Sequence, residues 1–408
     1  MSAPYDKNNP FPACLVDRRR LSSPASQKDT QHFSVSLAGS GLTYKCGDSL
    51  GVFPTNNPQA VAALLQAAGF TGDEHVTIPK DASPIPLRQA LSTRLALNGP
   101  TYKFAQLLHD RATDAADQAR LAAAIGEADP EKKKAWMEQR EFLDLFLEHP
   151  SARPSAQEVI ELMRKLMPRL YSISSAPSKY PQEIHLTVAV VRYETNGRPR
   201  EGVCSSYLAD RARMHEADLP VFVADSHFGL PADDNLPVIM VGPGTGIAPF
   251  RGMIHEMLVG PPEGTPARAA WRPSNSSITL VMGTPYTTDL IYDEWFSGLA
   301  AAHPNFTYHT VISRESAATP GRGAYVHQFM DSIVESLRPT LAAPRGLVYL
   351  CGLAGMQVGV YRMLAGGGDI LYVGKARDLR KRVSTYFGSK AHHPKTQALM
   401  AQTARVEV

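Results

Sequence analysis

The chain has 408 residues, enough for two or three domains with separate cores. Hydrophobic residues make up 43% and charged residues 20%, and the formal net charge is only +3, so bulk electrostatics point to neither a nucleic-acid nor a membrane protein. No run of about eighteen apolar residues occurs, and the N-terminal segment lacks an apolar signal-peptide core, so a cytoplasmic protein without a spanning helix is expected. Cys14, Cys46, Cys204 and Cys351 are scattered without metal-ligand spacing, which predicts reduced thiols, no metal site and no disulfide framework.

Residues 11–55 alternate apolar and polar positions, as in His32-Phe33-Ser34-Val35-Ser36-Leu37, and predict antiparallel strands. From Asn57 the pattern turns helical, with segments at 59–65, 141–147 and 156–167. The Ala- and charge-rich stretch 113–134 is either an exposed helix pair or a mobile insertion. Strand patterning returns at 184–191, so a β-domain is interrupted by a helical insert. After a linker at 230–236, short buried runs at 238–241, 278–282 and 347–350 alternate with helical stretches and predict a doubly wound parallel sheet. A third region of different character begins near Gly359. Its stretch 375–390 carries Lys375, Arg377, Arg380, Lys381, Arg382 and Lys390 against Asp378, the one place where a phosphate-backbone partner is worth considering.

Three segments carry recognisable chemistry. In Arg169-Leu170-Tyr171-Ser172, an Arg can hold a diphosphate oxygen, a Tyr can stack on a flavin ring and a Ser can reach its N5 edge; alone, the segment reads better as a strand with an exposed Arg and a Ser-rich turn. In Gly202-Val203-Cys204-Ser205, small residues at a helix start let N–H groups approach a pyrophosphate, although a plain helix cap would look the same. In Gly242-Pro243-Gly244-Thr245-Gly246, a glycine-rich turn follows a buried strand and opens a helix, the context that a dinucleotide loop requires.

In this order the motifs resemble the ferredoxin–NADP reductase superfamily, closest to the subgroup of sulfite reductase flavoproteins and diflavin reductases. The resemblance also covers Asn9–Ala13, Tyr44–Val52 and Leu186–Tyr193, and it makes the helical insert that subgroup's connecting domain. It implies FAD bound by Arg169, Leu170, Tyr171 and Ser172, with Thr187, Val188 and Ala189 lining the isoalloxazine and ribityl region. Tyr193 would lie near the adenine, and Gly202, Val203, Cys204 and Ser205 at the pyrophosphate. It implies NADP(H) held by Gly244, Thr245 and Gly246, with Ser313 and Arg314 on the 2′-phosphate and Tyr325 stacked on the adenine. The family's Lys before that Tyr and Gln after it are Gly323 and His327 here, and Arg322 is the candidate for the missing charge. Cys351 would lie beside the nicotinamide, so Ser172 and Cys351 are the expected catalytic residues; the acidic residue of diflavin relatives is replaced by Leu353.

The family's last strand and flavin-covering aromatic are not found after Met356. Instead, Gly359–Met363, Leu371–Arg377 and Lys381–Phe387 resemble the start of the GIY-YIG nuclease domain of the bacterial excision-repair endonuclease. Tyr361, Tyr372, Arg382 and Tyr386 are in its spacing, and Lys395–Leu399 fits as well. Alternatively, residues 359–365 continue the reductase's helix. The domain's metal-binding Glu is expected beyond Val408, so no nuclease activity is predicted.

The expected layout is an FAD-binding antiparallel β-barrel (1–56 and 167–230), a helical connecting insert (57–166), a Rossmann-like NADP domain (237–358) and a partial GIY-YIG-like α/β segment (359–408). The expected function is an NADPH-dependent flavoprotein oxidoreductase. No flavodoxin-like segment precedes it, so electrons would pass to a separate acceptor such as a sulfite reductase hemoprotein or a small redox protein. The alternatives are a DNA-binding or repair fusion and an impaired chimera. No membrane partner is expected, and nucleic acid only weakly, through the basic C-terminal segment.

Overall fold

The computed structural model describes residues 5–352 apart from 82, 227, 232, 234, 316–321 and 343–345, together with the strand segments 359–364, 370–376 and 405–407. The period-two pattern near the start becomes β1 (Phe11–Arg20), β2 (Thr30–Ser36) and β3 (Ser49–Val52), which bury Leu15, Phe33, Val35, Leu50 and Val52.

The helical insert follows. α1 (Pro58–Ala68) is capped by the Asn57 side chain, has proline at its first position and ends at left-handed Gly69. Then come the short strands β4 (His75–Val76) and β5 (Ile85–Pro86), followed by α2 (Leu87–Thr93) and α3 (Tyr102–Arg111). The Ala- and charge-rich stretch is a helix pair, α4 (Ala115–Gly126) and α5 (Pro130–Glu138), with caps at Asp114 and Asp129. α6 (Phe142–Glu148) and α7 (Ala156–Glu161) complete the insert, whose core joins Leu64, Phe104, Leu108, Phe142 and Phe146. α7 stops at Glu161 rather than continuing to Met167. Beyond it the backbone pairs sideways instead, with Ala96 N donating to Arg164 O (2.9 Å) and Leu166 N to Arg94 O (2.8 Å).

The chain then returns to the first sheet through β6 (Arg169–Ser172), β7 (Glu183–Ala189), the hairpin β8 (Arg192–Thr195) and β9 (Arg198–Glu201), α8 (Val203–Ser206) and β10 (Ala217–Ala224). The six-stranded order is β6-β3-β10-β1-β2-β7, antiparallel throughout. The end strands β6 and β7 share no continuous ladder. They meet at the bridge Ile173–Leu186 and at Ser174 N donating to His185 O (2.8 Å), so the expected barrel remains open along this seam.

The second sheet is parallel. Its elements are β11 (Val238–Val241), α9 (Ala248–Ile254), α10 (Pro266–Ala270), β12 (Ile278–Thr284), α11 (Asp293–Ala302), β13 (Phe306–Ile312), α12 (Val326–Ser332), α13 (Val334–Ala342) and β14 (Leu347–Leu350). The strand order β13-β12-β11-β14 means that the chain steps out one way from β11 and returns on its other side. Ligands of doubly wound sheets bind at the carboxyl ends of the strands at such a switch point. Here Gly242 and Cys351 directly follow β11 and β14.

Beyond it, β15 (Gly359–Leu364), β16 (Ile370–Ala376) and β17 (Arg405–Glu407) form an antiparallel sheet in the order β16-β15-β17. The alternative in which residues 359–365 prolong a helix is therefore corrected: the backbone of 359–364 pairs as a strand on both sides.

Candidate functional site

At the switch point, Gly244 adopts φ +56° and opens a 3-10 turn, Gly244–Ile247, that leads into α9. A Cβ on Gly242 would lie 2.7 Å from Gly246 O, and one on Gly246 would overlap Cys351 O. Cys351 N in turn donates to Val241 O (3.0 Å), so the glycine loop and Cys351 form one close-packed backbone layer. Burial pushes the Cys351 thiol above its ordinary range, so it sits there as a neutral thiol. Ser313 and Arg314 follow β13 and are anchored by Ser313 N on Thr284 O and Arg314 N on Pro285 O, both at 2.9 Å. Tyr325 caps α12, is 61% exposed, and its ring lies parallel to that of His327, with centroids 6.0 Å apart.

On the antiparallel sheet, β6 presents Arg169 and Leu170 outward, Leu170 at 58% exposure, while Tyr171 packs against the sheet's core. Burial raises the Tyr171 hydroxyl, and its neighbour Cys204 is pushed up to about 12 by the same cause. Ser172 is half-buried opposite Ser49, and no hydrogen bond links it to Cys351. Gly202 precedes α8. A Cβ there would meet Ser205 Oγ at 2.7 Å and Val191 Cβ at 2.9 Å, and Ser205 Oγ ties the turn by donating to Gly202 O (3.1 Å). Val203 opens α8, whose first-turn N–H groups lack partners within the helix. Tyr193 stands on the neighbouring hairpin with 54% of its surface exposed.

The expected run Thr187–Ala189 splits by strand alternation. Val188 points into the core, Ala189 is exposed, and Thr187 is buried with Oγ1 2.8 Å from the Tyr292 hydroxyl. His32 Nδ1 lies 3.0 Å from the same hydroxyl, and Tyr292 itself has φ +57°. Arg251 of α9 stacks over the Tyr292 ring at 4.9 Å and donates to Ser174 O at 2.8 Å. Burial lowers His32 to about 2 and neighbouring His185 to about 3, with the Arg251 charge adding to both, so the two histidines are neutral in this seam.

The FAD binding domain model matches residues 3–207. The chain belongs to this FAD binding domain family. An oxidoreductase NAD-binding domain matches residues 240–361, and a UvrC-like GIY-YIG domain residues 357–408. Among curated relatives, the sulfite reductase [NADPH] flavoprotein alpha-component of Bacillus subtilis (strain 168) is 40% identical over 253 residues, covering 62% of this chain and 41% of that protein. Its namesake from Photorhabdus laumondii is 37% identical over 297 residues, covering 72% of this chain and 46% of that protein. The chain thus spans less than half the length of either relative. The FAD- and NAD-binding domains support FAD and NADP(H) as cofactors.

The residues of the FAD- and NAD-binding domains fit dinucleotides. Gly202 and Gly246 are cradles that any Cβ would fill, and Tyr193 and Tyr325 are aromatic platforms left open to solvent. Among the described residues no cluster of His, Cys, Asp and Glu could hold a metal, and no helix is long and apolar enough to cross a membrane. Leu353, Met356, Arg382, Tyr386 and the Lys395–Leu399 stretch lie outside the described residues, as do the side chains of Tyr361 and Tyr372. Sequence reasoning missed His32, His185 and Tyr292, because nothing in their local pattern signals a contact across more than a hundred residues. It also missed Glu315, whose neighbours Ser313 and Arg314 were the only local signal.

Proposed function

We propose that the chain is an FAD-dependent NADPH reductase that passes electrons to a separate acceptor, a sulfite reductase hemoprotein or a small redox protein. The observation that carries this reading is the contact of the glycine loop with Cys351 at the switch point of the parallel sheet, beside an antiparallel sheet and its neighbouring hairpin that leave Leu170 and Tyr193 exposed. Bound flavin would supply the conversion between two-electron and one-electron transfer.

The chain's own groups bind and orient. Arg169 and the first turn of α8, with Gly202, Val203, Cys204 and Ser205, face the FAD pyrophosphate. Leu170, Tyr171 and Ala189 flank the ring system, Ser172 offers a hydroxyl at its reactive edge, and Tyr193 stacks on the adenine. Thr187 and Val188 support this wall from behind, one through Tyr292 and the other through the core. Gly244, Thr245 and Gly246 receive the NADPH pyrophosphate at the start of α9, Tyr325 its adenine, and Ser313 and Arg314 its 2′-phosphate. The neutral Cys351 thiol fills space beside the nicotinamide without adding charge where a hydride must leave. Four free cysteines support a reducing compartment, the cytoplasm.

The test is a visible absorption spectrum before and after NADPH, with ferricyanide as acceptor. A yellow protein bleached by NADPH, and turning over much faster with NADPH than with NADH, is expected. A colourless preparation that FAD does not reconstitute would sink the reading.

A further inference from the structure

Glu315 directly follows Ser313 and Arg314 at the carboxyl end of β13. One carboxylate oxygen accepts from Thr287 N at 2.5 Å, the other from Thr287 Oγ1 at 2.8 Å, and Arg322 Nη1 closes on the second oxygen while also reaching Thr287 Oγ1. A backbone N–H, a hydroxyl and a guanidinium converging on one acidic group make an anion cradle. It lies where two parallel strands end, between the turn after β12 and the residue pair expected at the ribose phosphate. The hydrogen bonds from Thr287 and the charge of Arg322 hold the Glu315 carboxyl below its ordinary range, so it is ionised at neutral pH.

We propose that Glu315 is an internal occupant of the anion cradle that a nucleotide 2′-phosphate enters, and that it sets how strongly the protein prefers a 2′-phosphorylated nucleotide. The proposal rests on the NADPH reading of this site. The nucleotide-free cradle is neutralised from within, because Arg322 is already paired with Glu315. A 2′-phosphate arriving at Ser313 and Arg314 must either displace the carboxylate from Thr287 and Arg322 or sit beside a like charge, and both oppose binding. A nucleotide with a free 2′-hydroxyl meets neither penalty, since a carboxylate at the ribose accepts from that hydroxyl. Glu315 thus narrows the gap between the two nucleotides that Ser313, Arg314 and Arg322 would otherwise open.

The experiment measures binding of 2′,5′-ADP and of ADP to the full-length protein by titration calorimetry, in the wild type, Glu315→Gln and Glu315→Asp. Glu315→Gln keeps the shape and removes the charge, and it should bind 2′,5′-ADP about tenfold tighter with ADP unchanged or weaker. Glu315→Asp keeps the charge and should show no such gain. Wild-type preference for 2′,5′-ADP that is unchanged or reduced in Glu315→Gln overturns the proposal while leaving the NADPH site standing. If none of the three proteins binds 2′,5′-ADP more tightly than ADP, the NADPH reading fails and the proposal falls with it.

Discussion

A single methyl group tests the glycine loop at its tightest point. On Gly246 it would press on the backbone oxygen of Cys351, which cannot swing aside as a side chain can. Gly246→Ala should therefore cost about 1–3 kcal/mol in local strain and abolish most NADPH-driven reduction, while the FAD content, set on the other sheet, stays unchanged; flavin absorbance and ferricyanide turnover together check this. The same scale governs pH behaviour at His255, which is 5% exposed, stacks on Trp295 and has no partner for Nδ1 among the described residues. Burial lowers it to about 4, and the Lys179 and Arg251 charges push the same way. The unfolded chain therefore binds a proton there that the folded one refuses, and the associated stability is present above about pH 6.5 and lost as pH falls towards 4. The slope is about 1.4 kcal/mol per pH unit for one such histidine. His255→Phe should flatten the fall in urea midpoint between pH 6.5 and 4.5 by that order, without lowering stability at pH 7.5.

At the scale of elements, the hairpin that carries Tyr193 is bound to the helical insert by charge. Arg200, 5% exposed, reaches Glu141 Oε2 at 2.5 Å and also Asp144, while Arg198 Nε donates to Asp144 Oδ1 at 2.6 Å. Burial pushes the Glu141 carboxyl up and the Arg200 charge pulls it back, so removing Arg200 leaves an acid with a cost and little compensation. Arg200→Met should destabilise the protein by about 3 kcal/mol, the lower end for a broken buried pair because Arg198 remains. It should also speed FAD release by loosening β8 and β9, and urea denaturation with flavin fluorescence reads both effects. The residues on either side of this network show what a sequence can and cannot reveal. The alternation around Phe33 and the helical pattern that begins after Asn57 are local, so those strands and the first helix were legible, whereas 113–134 stayed open between a helix pair and an insertion. The pairing of Arg200 with Asp144 spans 56 positions and left no periodic trace. Nor did the sideways pairing of 94–96 with 164–166, which cuts α7 short. At the nucleotide site the glycine turn was legible from its strand-and-helix context, but Glu315 was not, because its meaning depends on Thr287 and Arg322 arriving from other turns.

For the whole molecule the decisive question is how the two sheets are held, since in the proposed reductase electrons would cross from one to the other. The seam is polar and buried. Tyr292, at the start of α11, bonds to Thr187 on β7 and to His32 on β2, and Ser26 Oγ donates to Asp289 Oδ1 at 2.5 Å. Ser178 N donates to Glu256 Oε1 at 2.9 Å, and a Cβ on Gly252 of α9 would lie 2.6 Å from Ser175 O. Apolar sheets could slide past one another, whereas this set of directional bonds admits one registration. The left-handed backbone of Tyr292 is an observed strain that its hydroxyl bonds and the Arg251 guanidinium above its ring offset. Tyr292→Phe keeps the ring under Arg251 and leaves Thr187 Oγ1 and His32 Nδ1 without their shared partner, a loss of about 1–3 kcal/mol. If the seam sets the approach of nicotinamide to flavin, the variant should bind 2′,5′-ADP as the wild type does and keep its FAD, yet show a slower NADPH-driven bleaching of flavin absorbance in stopped flow. Unchanged bleaching alongside the lowered stability would mean that the seam serves folding alone, and that the sheets' alignment for transfer is fixed elsewhere.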